Sequence, residues 1–125
     1  MSFDLPTMTN SELSARGSFA DGVVRVALAG TADAEAKADL EATIKRVHEE
    51  SLRLHPSKVV VDFRLLEFMN SSCFKVFVSW LAAVRDLEAS QQYRIHLVSN
   101  PDLHWQRRSL AALSCFAVDL VAIET

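Results

Sequence analysis

The sequence predicts a single α/β domain in which a mixed sheet of four to five strands packs against helices. Short β-branched runs alternate along the chain with longer segments that carry apolar residues at helical spacing. The 125 residues, half of them hydrophobic, suffice for one hydrophobic core without disulfides or metals. Strands that alternate with helices favour at least two parallel strands. We expect residues 11–125 to form the domain and residues 1–10 to be a flexible N-terminal segment.

A hairpin is predicted near the N-terminus. Residues 22–30 (GVVRVALAG) alternate tightly enough to form a strand. Asp21 and Gly22 are a turn signal between this run and residues 11–19. The two runs are therefore expected to pair as antiparallel strands.

A helix and a buried strand should follow the hairpin. Asp33 is the predicted N-cap, Pro56 closes the segment, and a Glu41–Lys45 ion pair is expected on the solvated face. Residues 58–63 (KVVVDF) are a β-branched run typical of a strand covered on both faces. The helix is indicated by apolar residues at helical spacing, namely Ala36, Leu40, Ile44, Val47 and Leu54.

The second half of the chain continues the alternation. Residues 71–88 are predicted to form a second helix, and residues 93–98 another buried strand. Asn100, followed by a proline, is the predicted N-cap of a third helix over residues 102–113. Residues 116–123 form either a final strand or a terminal segment packed on the sheet.

Charge and composition exclude several classes of function. There are 13 basic and 16 acidic residues, for a net charge of −3, and no Lys/Arg-rich run that would indicate binding to nucleic acid or to an anionic membrane. The longest apolar stretch, residues 73–84, contains Lys75 and is too short to span a bilayer. The first ten residues lack the features of a secretory signal, and the two cysteines form no zinc motif. We therefore expect a cytoplasmic protein.

Three consecutive polar residues, Asn70, Ser71 and Ser72, interrupt an apolar region. A buried hydroxyl or amide without a partner costs on the order of 1–3 kcal/mol, so their hydrogen bonds must be satisfied locally or by water. We predict that Asn70 caps the second helix and that both serines lie in its first turn. Met69 and Phe74 then occupy the positions of a hydrophobic staple.

The second helix is apolar over most of its circumference. One stripe is assigned to the core, and a second stripe lies beside it. Two interpretations of the second stripe stay open: flanking helices cover it, or it is an exposed docking face next to Ser71 with Trp80 as its anchor. The core stripe contains Phe74, Phe77, Val78, Leu81 and Val84; the second contains Cys73, Val76, Trp80, Ala83 and Leu87.

A catalytic function finds little support in the residues. Cys73 at a helix start could have a lowered pKa, and Ser71 and Ser72 are nucleophile types, but none has a recognisable base. The four histidines lack metal-binding spacing, and the three glycines cannot form a phosphate-binding loop. We therefore expect no enzyme activity, no cofactor and no metal site.

Residues 58–86 resemble the central signature of the STAS domain, the fold of bacterial anti-sigma-factor antagonists. That signature is a hydrophobic strand ending in Asp, a short loop, then Asp-Ser-Ser or Asp-Ser-Thr followed by Gly-Leu-Gly and a helix. Residues 22–33 are similar to the family's second strand and its Gly-x-x-Asp turn, and residues 93–116 to its fourth strand and last helix. The resemblance spans about residues 22–123 in the family's order, and it implies a STAS-like fold.

The resemblance also implies a function. In the family, the first serine of this motif is phosphorylated by a partner that is both a kinase of the histidine-kinase-like ATPase type and an anti-sigma factor, and a PP2C-type phosphatase removes the phosphate. Here that serine is Ser71, with Asn70 and Ser72 as the helix cap and switch loop. The expected partner-binding residues are Cys73, Lys75, Val76 and Trp80, and a homodimer is possible.

The sequence departs from the family pattern at two places. Asn70 replaces the acidic residue, and Cys73, Phe74 and Lys75 replace Gly-Leu-Gly. A related group of small bacterial phosphoproteins, which act in biofilm control, has Asn before the two hydroxyl residues. The alternative function is a STAS scaffold that is never phosphorylated, or a module that holds a small apolar ligand.

Overall fold

The centre of the computed structural model, which describes Ser2, Phe3 and residues 12–125, is a mixed sheet whose strand order follows the chain. The first three strands are antiparallel, and each later strand is parallel to its predecessor. This confirms the predicted α/β class and mixed sheet. The flexible segment expected over residues 1–10 lies outside the described residues, except for the short first strand. The strands are β1 (Ser2–Phe3), β2 (Leu13–Ala20), β3 (Val23–Ala32), β4 (Lys58–Met69), β5 (Arg94–Val98) and β6 (Val121–Glu124).

Three helices connect the parallel strands: α1 (Lys37–Leu54), α2 (Ser71–Arg85) and α3 (His104–Ser114). Such crossovers are right-handed, so successive crossovers between neighbouring strands place all three helices on one side of the sheet. In agreement, α1 contacts α2, and α2 contacts α3. The core lies between the helices and this side of the sheet. We call the opposite side, formed by the outward side chains of β2 to β6, the helix-free face.

The predicted hairpin is confirmed. β2 and β3 pair in an antiparallel register from Ala20↔Val23 outwards. Asp21 and Gly22, with φ angles of 53° and 76°, form the two-residue turn between them. At the far end of the hairpin, Gly30 has φ of 93°, and a Cβ atom there would lie 2.0 Å from a backbone oxygen. A side chain at position 30 is therefore excluded.

The first helix begins and ends at the predicted residues. The Asp33 carboxylate caps a short 3-10 turn (Ala34–Ala36) that leads directly into α1. His55, in the left-handed conformation, ends α1 before Pro56. The predicted ion pair was wrong in its partner, because Glu41 pairs with Lys37 at 3.6 Å and not with Lys45.

The fourth strand is longer than predicted. It is buried on both faces up to Phe63, as expected, but it continues through the predicted loop to Met69. The extension pairs with β3 across two register irregularities and passes beyond β5, whose last pair with β4 is Asp62↔Val98. Gln106 of α3, fully buried, closes this free edge by donating hydrogen bonds to the carbonyl oxygens of Phe63 and Leu66 at 2.6 and 3.0 Å.

Two predicted helix boundaries shift. The third helix begins at His104, with Leu103 and not Asn100 at its N-cap position; the Asn100 oxygen accepts from the Asp102 backbone N–H in the turn before the helix, and its nitrogen donates to the Arg64 carbonyl. The second helix ends at Arg85, three residues early. Of the two interpretations for residues 116–123, the strand is observed, as β6.

Candidate functional site

The candidate site lies where β4 gives way to α2. Asn70 is the N-cap, as predicted, with an extended backbone. Its Oδ1 atom accepts hydrogen bonds from the Cys73 backbone N–H at 3.0 Å and from the Ser72 hydroxyl at 2.9 Å. Its backbone N–H donates to the Ala32 carbonyl at 2.9 Å, which fixes the junction against the end of β3. The Asn70 amide oxygen, the Asn70 backbone N–H and the Ser72 hydroxyl thus all have hydrogen-bond partners, either within residues 70–73 or at the end of β3.

Ser71 is the first residue of α2 and is exposed. Its hydroxyl makes no hydrogen bond to any described residue, whereas the Ser72 hydroxyl is bound to the cap. The first backbone N–H groups of a helix have no partner within the helix, and the helix dipole makes this end positive. An anionic group on Ser71 would therefore lie in a favourable field.

Cys73 is fully buried and is not a candidate nucleophile. Its thiol donates to the Asp33 carbonyl oxygen at 3.3 Å. Burial raises the pKa of Cys73, and the nearby Asp33 carboxylate raises it further. The pKa lowering that a helix start suggested is therefore not found, because burial and the Asp33 carboxylate both disfavour the thiolate.

Most of the second stripe of α2, for which two interpretations were open, is covered. Trp80 is 4 % exposed, and Cys73 and Val76 are also buried. The structure therefore supports the interpretation in which flanking elements cover this stripe. Of the four expected partner-binding side chains only Lys75 is exposed.

A hydrogen-bonded chain explains why Trp80 turns inward. The Trp80 Nε1–H group donates to the Tyr93 hydroxyl at 2.8 Å, and that hydroxyl is also hydrogen-bonded to Nδ1 of His48. Because the Trp80 group can only donate, the Tyr93 oxygen accepts from it, and the Tyr93 hydrogen is available to His48 Nδ1 when that nitrogen is unprotonated. Burial lowers the pKa of His48, although the Glu49 carboxylate opposes part of this shift. The lowered pKa favours the neutral form of His48.

A groove of about 890 Å³ runs between α1 and α2. Val76, Trp80 and Lys75 are among the residues that line it, and Lys75 lies one turn of α2 from Ser71. Part of the second stripe therefore lines a groove instead of an open face. Its small side chains are Ala34, Ala38, Ala42 and Ala83.

Sequence reasoning missed an ionic cluster on the helix-free face. Asp62 accepts hydrogen bonds from Arg25 at 2.9 Å and from the Arg64 backbone and guanidinium at 2.8 to 3.2 Å. These bonds, those from Arg64 above all, lower the pKa of Asp62 to about 2 although burial opposes the shift. The aspartate was visible in the sequence as the end of a hydrophobic run, but nothing local connects it to Arg25, 37 residues earlier.

Two further searches of the fold bear on function. Within the described residues, no group of three His, Cys, Asp or Glu side chains could hold a metal ion. Helices long and apolar enough to cross a membrane are also absent from this part of the chain.

Comparison with known proteins finds similarity at the level of structure. No protein-family model matches the chain, and no curated protein matches its sequence. Among solved structures, the crystal structure of an anti-sigma factor antagonist from Mycobacterium paratuberculosis superposes with a TM-score of 0.67 at 19% identity, covering 94% of this chain and 90% of that chain. The fold that the resemblance implied is confirmed: this chain has the STAS-like fold of an anti-sigma factor antagonist.

Proposed function

We propose that this protein is a non-catalytic regulatory switch that binds a protein partner and is controlled by phosphorylation of Ser71. The partner would be an anti-sigma factor or a serine kinase of the histidine-kinase-like ATPase type. The observation that carries the proposal is the environment of Ser71, whose hydroxyl is exposed and unbonded at the first position of α2. The fold shared with an anti-sigma factor antagonist supports the same class of function.

The local geometry favours a modification that changes the surface and leaves the fold intact. Asn70 and Ser72 already bond each other, so a phosphate on Ser71 displaces no existing hydrogen bond. The added charge, about −2, faces the positive end of the helix. Lys75, exposed one turn further along α2, adds a cation on the same side. A partner docked over Ser71 would have to desolvate this dianion. The free-energy cost of that desolvation would weaken the complex and release the partner.

The phosphorylation site is tested by peptide mapping of protein from native cells. We expect phosphate on Ser71 and none on Ser72, whose hydroxyl is hydrogen-bonded to the cap. A PP2C-type phosphatase should remove it. Absence of phosphate in both growth and stress, with a cognate kinase expressed, would contradict the switch.

The effect on binding is tested with Ser71→Asp and Ser71→Ala and a partner identified in native cells. Ser71→Asp should keep the melting temperature and weaken the complex at least about tenfold, or about 1.4 kcal/mol. Ser71→Ala should bind normally but no longer respond to kinase and ATP. Ser90→Asp, which adds the same charge at an exposed serine outside the helices, is the matched control and should bind normally. Equal affinity for Ser71→Asp and the unmodified protein would refute the switch.

A second candidate function is a module for a small apolar ligand, with no phosphorylation. The groove between α1 and α2 favours it, because about 890 Å³ is within the usual range of ligand sites and Ile44, Val76 and Trp80 line it together with alanines and charged side chains. Ala38→Leu would fill this groove without touching Ser71. If Ala38→Leu abolishes regulation in cells and Ser71→Ala does not, this function replaces the switch.

A further inference from the structure

The helix-free face is strongly basic, although the protein as a whole is acidic. The register aligns Arg25, Val60 and His96 across three strands, and the Arg25–Asp62 and His96–Glu124 contacts confirm that these side chains share one face. The face carries five cationic side chains and three carboxylates, those of Asp62, Glu67 and Glu124. The remaining chain has eight basic and thirteen acidic residues. The cations are Arg16, Arg25, Lys58, Arg64 and Arg94.

Two of these arginines are held in place by a carboxylate that is itself hidden. Arg25 and Arg64 both bond to Asp62, whose side chain is 11% exposed, while their own side chains are 41% and 56% exposed. Each guanidinium uses only part of its five N–H donors on Asp62. Both guanidinium groups thus keep donors in side chains that are partly exposed, which suits a carboxylate that approaches from outside.

The same face ends in exposed apolar side chains. The register pairs Leu65 with Ala29 and Phe68 with Thr31, which places both on the helix-free side of the β4 extension. Leu65 is 70% exposed and Phe68 49% exposed. The strand edge beside them is closed by Gln106, so recognition here would use side chains rather than an added strand.

We propose that the helix-free face binds an acidic segment of a partner protein that also carries apolar side chains. Carboxylates of the segment would pair with the arginines, and its apolar groups would contact Leu65 and Phe68. Two copies of this face repel each other, and a long nucleic acid would also meet the acidic remainder of the molecule. The inference goes beyond the Ser71 switch, because it needs neither a phosphate nor a kinase.

The test uses the full chain and three defined probes: a short peptide of glutamate, leucine and serine, its twin with lysine for glutamate, and vesicles containing phosphatidylserine. Amide chemical shifts are recorded during each titration. We expect the glutamate peptide alone to bind, with the largest shifts in β3 and β4 and with affinity that falls as salt rises. No binding at low salt, equal binding of the lysine twin, or stronger binding to the vesicles would overturn the proposal.

Charge-reversal variants with equal net charge locate the surface. Arg16→Glu, Lys58→Glu and Arg94→Glu together change the face and leave the Asp62 cluster intact. The matched control reverses three exposed cations elsewhere: Lys45→Glu, Arg107→Glu and Arg108→Glu. The first set should weaken binding at least about tenfold and the control less than about threefold. Similar losses in both sets would overturn the assignment to this face.

The apolar part of the surface is tested separately. Leu65→Ser should weaken binding of the glutamate peptide about threefold or more, since an exposed anchor is lost without disturbing the core. Val118→Ser, at a residue 71% exposed in the turn that precedes β6 and outside the sheet, is the control and should have no effect. An unchanged affinity for Leu65→Ser would remove Leu65 from the site. Because every titration uses protein that carries no phosphate, failure here leaves the Ser71 switch standing, and the reverse also holds.

Discussion

The amide oxygen of Asn70 accepts two hydrogen bonds, and this arrangement explains the polar interruption residue by residue. One bond satisfies a backbone N–H group of α2, and the other fixes the Ser72 hydroxyl. Ser71 alone keeps a free hydroxyl. The sequence predicted the cap because a cap depends on residues within one turn of each other. It did not predict the burial of Cys73, because burial depends on the Asp33 loop, 40 residues earlier.

Removal of the cap should destabilise the protein measurably. Asn70→Ala loses both hydrogen bonds, so we expect the free energy of unfolding to fall by about 0.5–2 kcal/mol. Asn70→Asp keeps both acceptors and adds a favourable charge at the helix start, so it should be neutral or slightly stabilising. Urea unfolding of both variants measures these differences. An alanine variant as stable as the unmodified protein would show that the Asn70 cap adds no stability.

At the scale of elements, two hydrogen bonds hold α2 in place. They connect Trp80 of α2 to Tyr93, the residue before β5, and Tyr93 to His48 of α1. Periodicity predicted both apolar stripes of α2 but could not decide whether the second was covered. The covering groups come from other elements, and no local pattern connects them. The same reason explains the longer β4, whose extension depends on pairing with β3, and the closing of its edge by Gln106.

Replacement of Tyr93 tests the two hydrogen bonds that join Trp80, Tyr93 and His48. Tyr93→Phe leaves the Trp80 N–H group buried without an acceptor, so we expect a loss of about 1–3 kcal/mol at pH 8. Since the pKa of His48 is lowered in the folded protein, folding favours its neutral form. The contribution of neutral His48 to stability is complete above about pH 6.5 and is lost as the pH falls through the lowered pKa. The cost of Tyr93→Phe should therefore be smaller at pH 5.

Thermal melts at the two pH values provide the measurement. His48→Gln is the matched control, because glutamine does not titrate in this range. In that background the cost of Tyr93→Phe should not change with pH. A cost that is the same at both pH values in the parent protein would show that His48 is not the acceptor.

At the scale of the whole molecule, charge is divided between two sides, with cations on the helix-free face and most carboxylates elsewhere. Composition gave a net charge of −3 and suggested no charged surface, because the five cations lie on four different strands and form no run in the sequence. The resemblance to a known family covered the order of elements and therefore predicted the fold. The resemblance could not predict a surface whose residues come from several strands.

Acid titration should reveal the role of Asp62 in this division. Its pKa is about 2 in the folded protein against an ordinary value of 3.8, so its stabilising contribution is complete above about pH 4 and is lost as the pH falls toward 2. Asp62→Asn should be less stable at pH 7 and should flatten the fall of stability over this acidic window. Glu67→Gln, at an exposed site of the same strand, is the control. Parallel curves for Asp62→Asn and the unmodified protein would contradict the assignment.

The strand order of the sheet also has a consequence for synthesis on the ribosome. Because the order follows the chain, each strand from β3 onward pairs with the strand made just before it. No strand has to be inserted between two that are already paired, and each loop that closes is short compared with the chain. The hairpin of β2 and β3 can thus form first and serve as the template on which every later strand and helix is added as it emerges.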